Sequence, residues 1–432
     1  MTSRAQSGLV PVSLEAVLLF TLGALDVVWL RTVLPLPVWS TIANCFWVLA
    51  IVCLGVDLAG RPWATNIRTA AVAASAVLLL VVSTLALVGL RRQFGPASYV
   101  HDNAILIEEG VKQLLSGHNF YTADYRGTAL AAWQGGQFYD ATSQTWFPNP
   151  ALFHYITLPF YTLGSAAVAV VSLMVVGFYD QRFTHLLALG LLAGAAWTLP
   201  RRRQDRISYL IVLLLNPLAV AAITMGTSDI FVLAWLIAAI AAFAAGRGTL
   251  GAVSLALAAT SKQTAWVVLP LVAAYWWWAE PRRRRELLWL PGLALAIIAP
   301  FALWNWPAFW DDVYRYPAGT LPTSYPIYGL GLSVLLQLVG FPPSPRAYFP
   351  YSLLQLALAG PLLAVLLWWQ RRDNTMARAV AGSAVFLLVF WWLSRFFNEN
   401  YLWVVVALLA TEYVLNDHSD GKHSVVGAVP PA

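Results

Sequence analysis

The stretch SYVHDNAILIEEGVKQLLSGHNFYTAD, Ser98–Asp124, decides how this chain is read. It carries Asp102, Glu108, Glu109, Asp124, His101 and His118, in a protein of which 11% of residues are charged and 59% are hydrophobic. Long apolar segments flank it on both sides. Runs of about 15–22 apolar residues recur along the rest of the chain, the length that crosses a hydrocarbon core of about 30 Å. A helix satisfies its own backbone groups in lipid, so these runs read as transmembrane helices. The expected fold is therefore an all-α, polytopic integral membrane protein of about 12–14 crossings, with amphipathic surface helices in the first large outer loop.

Working outward, segments 13–33, 37–57 and 69–90 precede the stretch. Arg4, Arg61 and Arg68 place their near ends in the cytoplasm by the positive-inside rule, so the loop 91–149 lies outside. Within that loop Asn103–Ser116 has a helical period, with Ala104, Ile107, Val111 and Leu114 on one stripe and Glu108 spaced to pair with Lys112. Gly117 ends it, and a helix of this kind is expected to lie flat on the membrane. Three crossings, 149–163, 165–179 and 182–199, then bring Arg201, Arg202, Arg203 and Arg206 back inside. Ile207–Met225, Ile230–Ala245, Thr249–Ala259, Ala265–Trp278 and Leu287–Trp304 follow. A second outer loop, 305–350, contains a short apolar helix at Ile327–Val339. Leu353–Trp369, Ala377–Leu393 and Tyr401–Val414 complete a single domain over 1–415, with 416–432 a flexible cytoplasmic tail. The net charge of +6 comes from arginine clusters at segment ends and is no nucleic-acid signal. Cys45 and Cys53 share one segment and read as core filler. Asp26 is placed to pair with Arg31.

This topology gathers the informative polar residues on the outer face. Asp102 opens the surface helix and is either a general base for an acceptor hydroxyl or an N-cap, a role open to Asn103 as well. Gly226-Thr227-Ser228-Asp229 opens another helix: an anion site of exposed N–H groups, or ordinary capping. Lys262 lies between two apolar stretches, where a lysine needs a partner such as a phosphate. Arg395, with Asn398, Glu399 and Asn400, suits a phosphate-sugar head group or forms a plain polar turn. Asp311 and Asp312 form an acidic pair with hard oxygen ligands, a weak pattern for a metal. No P-loop, G-x-S-x-G, H-E-x-x-H or C-x-x-C motif occurs, and no cofactor or metal is expected.

The motifs run in a suggestive order. Leu114-Leu115-Ser116-Gly117-His118-Asn119-Phe120-Tyr121 follows the carboxylate of the first loop. An aromatic and proline segment, Trp146–Phe153, comes next. Asn216-Pro217 with Gly226–Asp229, then Ala258, Lys262, Ala265 and Leu269-Pro270, and finally Asn398–Leu402 complete the series. In this the chain resembles the GT-C polytopic glycosyltransferases, especially the lipid-linked mannosyltransferase-like branch of glycosyltransferase family 87, from residue 70 onward. It departs in having three helices before the first loop. His101-Asp102 also replaces the acidic pair of the protein-modifying members, which argues against a protein acceptor. The resemblance implies inverting transfer of one sugar from a polyprenyl-phosphate-sugar to a lipid or glycan acceptor, on the extracytoplasmic face of the plasma or inner membrane. It implies Asp102 as base. Lys262, Arg395 and Thr227, Ser228 and Asp229 would receive the leaving phosphate. His101, Tyr121, Asn398, Glu399 and Asn400 would hold substrate.

A transporter or flippase of a lipid-linked sugar would use the same outer cations, but alternating access rests on internal repeats, and none is visible. A purely structural membrane protein explains the hydrophobicity and leaves the gathering of ionisable groups without a reason.

Overall fold

The computed structural model describes residues 12–59, 64–140 and 144–423. Arg4, Arg61 and the last nine residues of the expected tail, 424–432, lie outside them. Of the described residues 76% are helical. Its long helices are α1 (Leu14–Val33), α2 (Leu36–Ala59), α3 (Thr65–Phe94), α4 (Asp102–Leu115), α5 (Pro159–Val176), α6 (Gln181–Trp197), α7 (Arg203–Leu214) and α8 (Pro217–Met225). There follow α9 (Asp229–Ala244), α10 (Gly248–Ala259), α11 (Thr264–Ala279), α12 (Trp289–Trp304), α13 (Tyr351–Arg372), α14 (Met376–Trp392) and α15 (Glu399–His423). Among the described residues six helices are long and apolar enough to cross a membrane, seven if α7 and α8 count as one bent span. Four shorter apolar helices, α9, α10, α11 and α14, accompany them. This points to a multi-pass membrane protein.

The core is the α9–α10–α11 region. Helix α9 is apolar all round and is buried along nearly its whole length, as such a helix must be when other protein encloses it. Helix α10 packs against it with Gly251 at the Phe243 ring, where a Cβ would stand 2.6 Å away; such small residues permit the close approach that drives helix association where lipid is as apolar as the side chains.

Two polar layers close the bundle. At one end Asp57 accepts hydrogen bonds from Ser13 and pairs with Arg68 at 2.7 Å. At the other end Arg91 clasps Glu108 with both terminal nitrogens at 2.7 Å and reaches Asp180 at 2.8 Å. Arg182 holds the same Asp180 at 2.8 Å and donates to the Tyr99 carbonyl. All four side chains are under 10% exposed. Burial by itself would raise the Asp180 carboxyl, yet Arg182 and Arg91 hold it well below the usual carboxylate range.

Several expectations are corrected here. Helix α4 does not lie free on a surface. Ala104 through Val111 are all buried, because α5 and α6 cover it from one side and the 149–158 segment from the other. Gly110 makes this possible, since a Cβ there would meet the Tyr155 ring at 2.5 Å. Glu108 therefore pairs with Arg91 rather than Lys112, and Lys112 pairs with Glu109. No helix spans 149–158; the proline pair in Pro148-Asn149-Pro150 leaves a single turn, Pro150–Leu152. Phe160 N–H donates to the Thr260 carbonyl at the start of α5. Of the three crossings expected over 149–199, the first two are replaced by one helix, α5, which is long and apolar enough to cross a membrane, and α6 stands at the third.

The segment expected over Ile207–Met225 is bent by 56° at Asn216-Pro217, where Asn216 Oδ1 caps the second half. The loops are not wholly helical. β1 (Gln137–Asp140) and β2 (Thr145–Pro148) form an antiparallel hairpin, and β3 (Tyr328–Gly329) pairs in parallel with β4 (Phe396–Phe397). The helix expected at Ile327–Val339 shrinks to Leu332–Leu338. Helix α15 continues to His423, beyond the expected end of the domain. Arg31 lies over the Trp39 ring, and Asp26 is fully buried with neither carboxylate oxygen hydrogen-bonded.

Removing one member of a buried ion cluster strands its partners, at about 3–5 kcal/mol. Arg91→Met should cost that much, read as a lowered unfolding midpoint in detergent. Arg92→Ala, which loses only a stacking contact over Phe178 at 3.8 Å, should cost about 1 kcal/mol or less. Equal midpoints for the two variants would refute the scaffold role of the cluster.

Candidate active site

Above the Arg91 layer lies a cavity of about 610 Å³, walled by the two large loops and floored by helix termini. That volume is ordinary for a small-molecule site. Three groups of side chains give it chemistry.

The first is built on the start of α4. His101 N–H donates to the Met225 carbonyl, which fixes this end of α4 against the end of α8. Gly226, at φ +91°, ends α8 in the left-handed region that an L side chain rarely adopts. The cap of α4 is His101, whose Nδ1 accepts the Asn103 N–H at 3.2 Å; neither Asp102 nor Asn103 caps it. Asp102 instead turns into the cavity, with Oδ1 2.8 Å from His101 Nδ1 and Oδ2 accepting from Asn149 Nδ2 at 3.0 Å. Burial would raise its carboxyl, but His101, Asn149 and the Asn103 N–H hold it below the usual range. Burial likewise opposes charge on the imidazole, and Asp102, with Glu399 and Asp229 further off, raises it above the ordinary histidine value.

The second group lies at the starts of α9 and α15 and the turn between α10 and α11. Asp229 is fully buried; its Oδ1 accepts from Lys262 Nζ at 2.7 Å and its Oδ2 from Asn400 Nδ2. Lys262 also sits 4.9 Å above the Tyr401 ring. Lys262, Thr227, Ser228, Asn398, Glu399 and Asn400 all line the cavity. Asp229, expected among the phosphate-binding residues, carries a charge that repels an anion, and its place is behind Lys262 and Asn400, aiming them.

The third group is aromatic. Trp133, Phe138, Tyr316, Tyr325, Tyr328 and Tyr401 form the walls. His154 stacks on Tyr316 at 4.6 Å, with Nδ1 2.7 Å from Asp312 Oδ1 and Nε2 2.6 Å from Thr323 Oγ1. On the bundle side Trp29, Leu106, Leu218, Ala221, Ala222 and Met225 make one edge apolar.

Two expected site residues stand elsewhere. Arg395 is 2% exposed and spends its guanidinium on the carbonyls of Tyr325, Pro345 and Ala347. It clamps the second loop to the turn before α15. With no carboxylate beside it, burial pulls its guanidinium down to about 10. Tyr121 donates to the Thr157 carbonyl at 2.8 Å and packs among Phe120, Tyr155 and Phe309. Its place is in the aromatic core. Asp311 and Asp312 separate, the first to Arg315 and the second to His154. Among the described residues no three His, Cys, Asp or Glu side chains are grouped to hold a metal ion.

Asn149 and His154 were missed. Asn149 sits between two prolines and looks like a turn residue, which it also is, accepting from the Ala151 N–H at 3.0 Å. His154 gains meaning only from Asp312, 158 positions away.

Compared with known proteins, the chain matches no family model, no curated protein and no solved structure.

Lys262→Met should leave the buried Asp229 charge with Asn400 alone and cost about 3–5 kcal/mol. Adding Asp229→Asn should recover a large part of that loss, a non-additivity read in a double-mutant cycle of unfolding midpoints. Additive losses would mean that the two side chains do not depend on each other.

Proposed function

We propose that this chain is a membrane glycosyltransferase. It moves one sugar from a polyprenyl-phosphate-sugar to a hydroxyl of a lipid or glycan acceptor, with inversion, at the extracytoplasmic face of the plasma or inner membrane. The observation that carries the reading is the pairing, in one cavity, of an ionised Asp102 and a positioned Lys262 across aromatic walls. Aromatic faces with interspersed amides suit a sugar ring. The apolar edge at Trp29, Leu218 and Met225 suits the first isoprene units of a donor that lies in the membrane.

The chemistry follows from these positions. Asp102 takes the proton of the acceptor hydroxyl, whose oxygen attacks the anomeric carbon from the face opposite the phosphate. The bond from that carbon to the phosphate oxygen breaks, and the electron pair leaves with the phosphate. Lys262 and the first-turn N–H groups near Thr227 and Ser228 meet the charge as it grows. A phosphate leaves without a proton, so the scheme needs one essential carboxylate and no cofactor.

The test is transfer of radiolabel from purified polyprenyl-phosphate-mannose and polyprenyl-phosphate-arabinose into membrane lipid extracts. Wild type should move label from one donor, and Asp102→Asn should lose about 10²-fold or more at equal expression. A protein that carries labelled donor across vesicles without forming product, equally well with Asp102→Asn, would be a transporter.

A further inference from the structure

His101 Nδ1 has two neighbours, one that calls for a lone pair and one that calls for a proton. It accepts the Asn103 N–H at 3.2 Å, which requires a free lone pair. It also lies 2.8 Å from Asp102 Oδ1, where an ionised carboxylate requires a proton between the two atoms. The Asn103 N–H also reaches the Asp102 carboxylate, so it keeps an acceptor when Nδ1 carries the proton, and Nδ1 accepts it when the proton is gone. Both arrangements use the same heavy-atom positions and differ by where one proton lies. The two side chains also differ in access, Asp102 being 14% exposed and His101 44%.

We propose that Asp102 and His101 act as one proton acceptor, Asp102 taking the proton from the acceptor hydroxyl and passing it across the 2.8 Å contact to Nδ1 of His101. This rests on the transfer reaction proposed above and adds a catalytic role for His101. A carboxylate held in its ionised form by neighbours is a weak base by itself. The imidazole is the stronger base of the pair, so the proton comes to rest there. The balance is simple. The acceptor O–H bond breaks as the new bond to the anomeric carbon forms, and the proton moves to Asp102 and then to Nδ1. The imidazolium returns a proton to water from its exposed side. Asn149 keeps the other carboxylate oxygen in place throughout. Turnover then requires the pair to start without its shared proton, so transfer rises with pH. The charged groups around His101 are Asp102 beside it, Asp229 at the start of α9 with its partner Lys262, and Glu399 at the start of α15.

The experiment has two arms. In the first, the pH dependence of label transfer is compared for wild type and His101→Gln, with and without added imidazole. Wild-type transfer should rise with a midpoint above the ordinary histidine value of about 6.5. His101→Gln should lower transfer about 10²-fold, move the rise toward the carboxylate range, and recover in part with imidazole. Full transfer with an unmoved profile overturns the proposal. So does a loss with an unmoved profile and no rescue, which is what a helix cap alone would give.

In the second arm, ¹⁵N-histidine spectra of the detergent-solubilised protein follow His101, assigned with His101→Gln among the six histidines. Asp102→Asn should lower the His101 midpoint, with the other five signals in place as the check on folding. An unchanged midpoint overturns the shared proton. If wild type moves label from no donor, the transfer reading falls, and this arm still decides whether the two side chains share a proton.

Discussion

A guanidinium inside a membrane protein has no water to turn to, and Arg91 therefore has to find its counter-charges in the chain. It finds them on α4 and at the start of α6, with Glu108 and Asp180, and Arg182 balances the second carboxylate. Two positive and two negative groups, each under 10% exposed, make a neutral knot between α3, α4 and α6. Such a knot adds little net stability compared with apolar packing, but every broken version of it is costly. It therefore acts chiefly as a register device. With Arg91 on Glu108, α4 can sit in one rotation only, and that rotation points Asp102 at the cavity. Arg182 extends the same control to the Tyr99 carbonyl and so to the loop that enters α4.

Environment separates Asp102 from Asp229. Asp229 is enclosed, and both its oxygens are taken by Lys262 and Asn400. Its effect is to hold a lysine at the cavity wall. Asp102 has an amide on one oxygen and an imidazole on the other, and both supports leave it facing the cavity. The same residue type is enclosed behind a lysine in one case and open to the cavity in the other.

The second loop shows how an aqueous-side wall is held without regular structure. Arg395 gathers three carbonyls from Tyr325, Pro345 and Ala347, and the β3–β4 pair pins Tyr328 beside Phe396. His154 and Asp312 tie the first loop to the second. The tyrosines of the wall are thereby presented from a scaffold of buried polar contacts, which is the usual condition for a pre-formed site.

The sequence by itself determined the membrane class, most helix positions, and the face on which Asp102, Thr227, Ser228, Lys262 and Asn398–Asn400 meet. Those follow from local quantities: apolar run length, helix period, and turns marked by glycine and polar residues. It also marked Ser98–Asp124 as the centre, because charge is rare in so apolar a chain. Only the tertiary structure decided that Arg91 is buried and paired with Glu108 and Asp180. The same holds for Arg395 and Tyr121, which serve the frame, and for Asp229, which stands behind Lys262. In each case the deciding partner is far along the chain, Asp180 for Arg91 and Asp312 for His154. A charge cannot be assigned to framework or to chemistry until its counter-charge is known, and in this protein folding alone brings the two together.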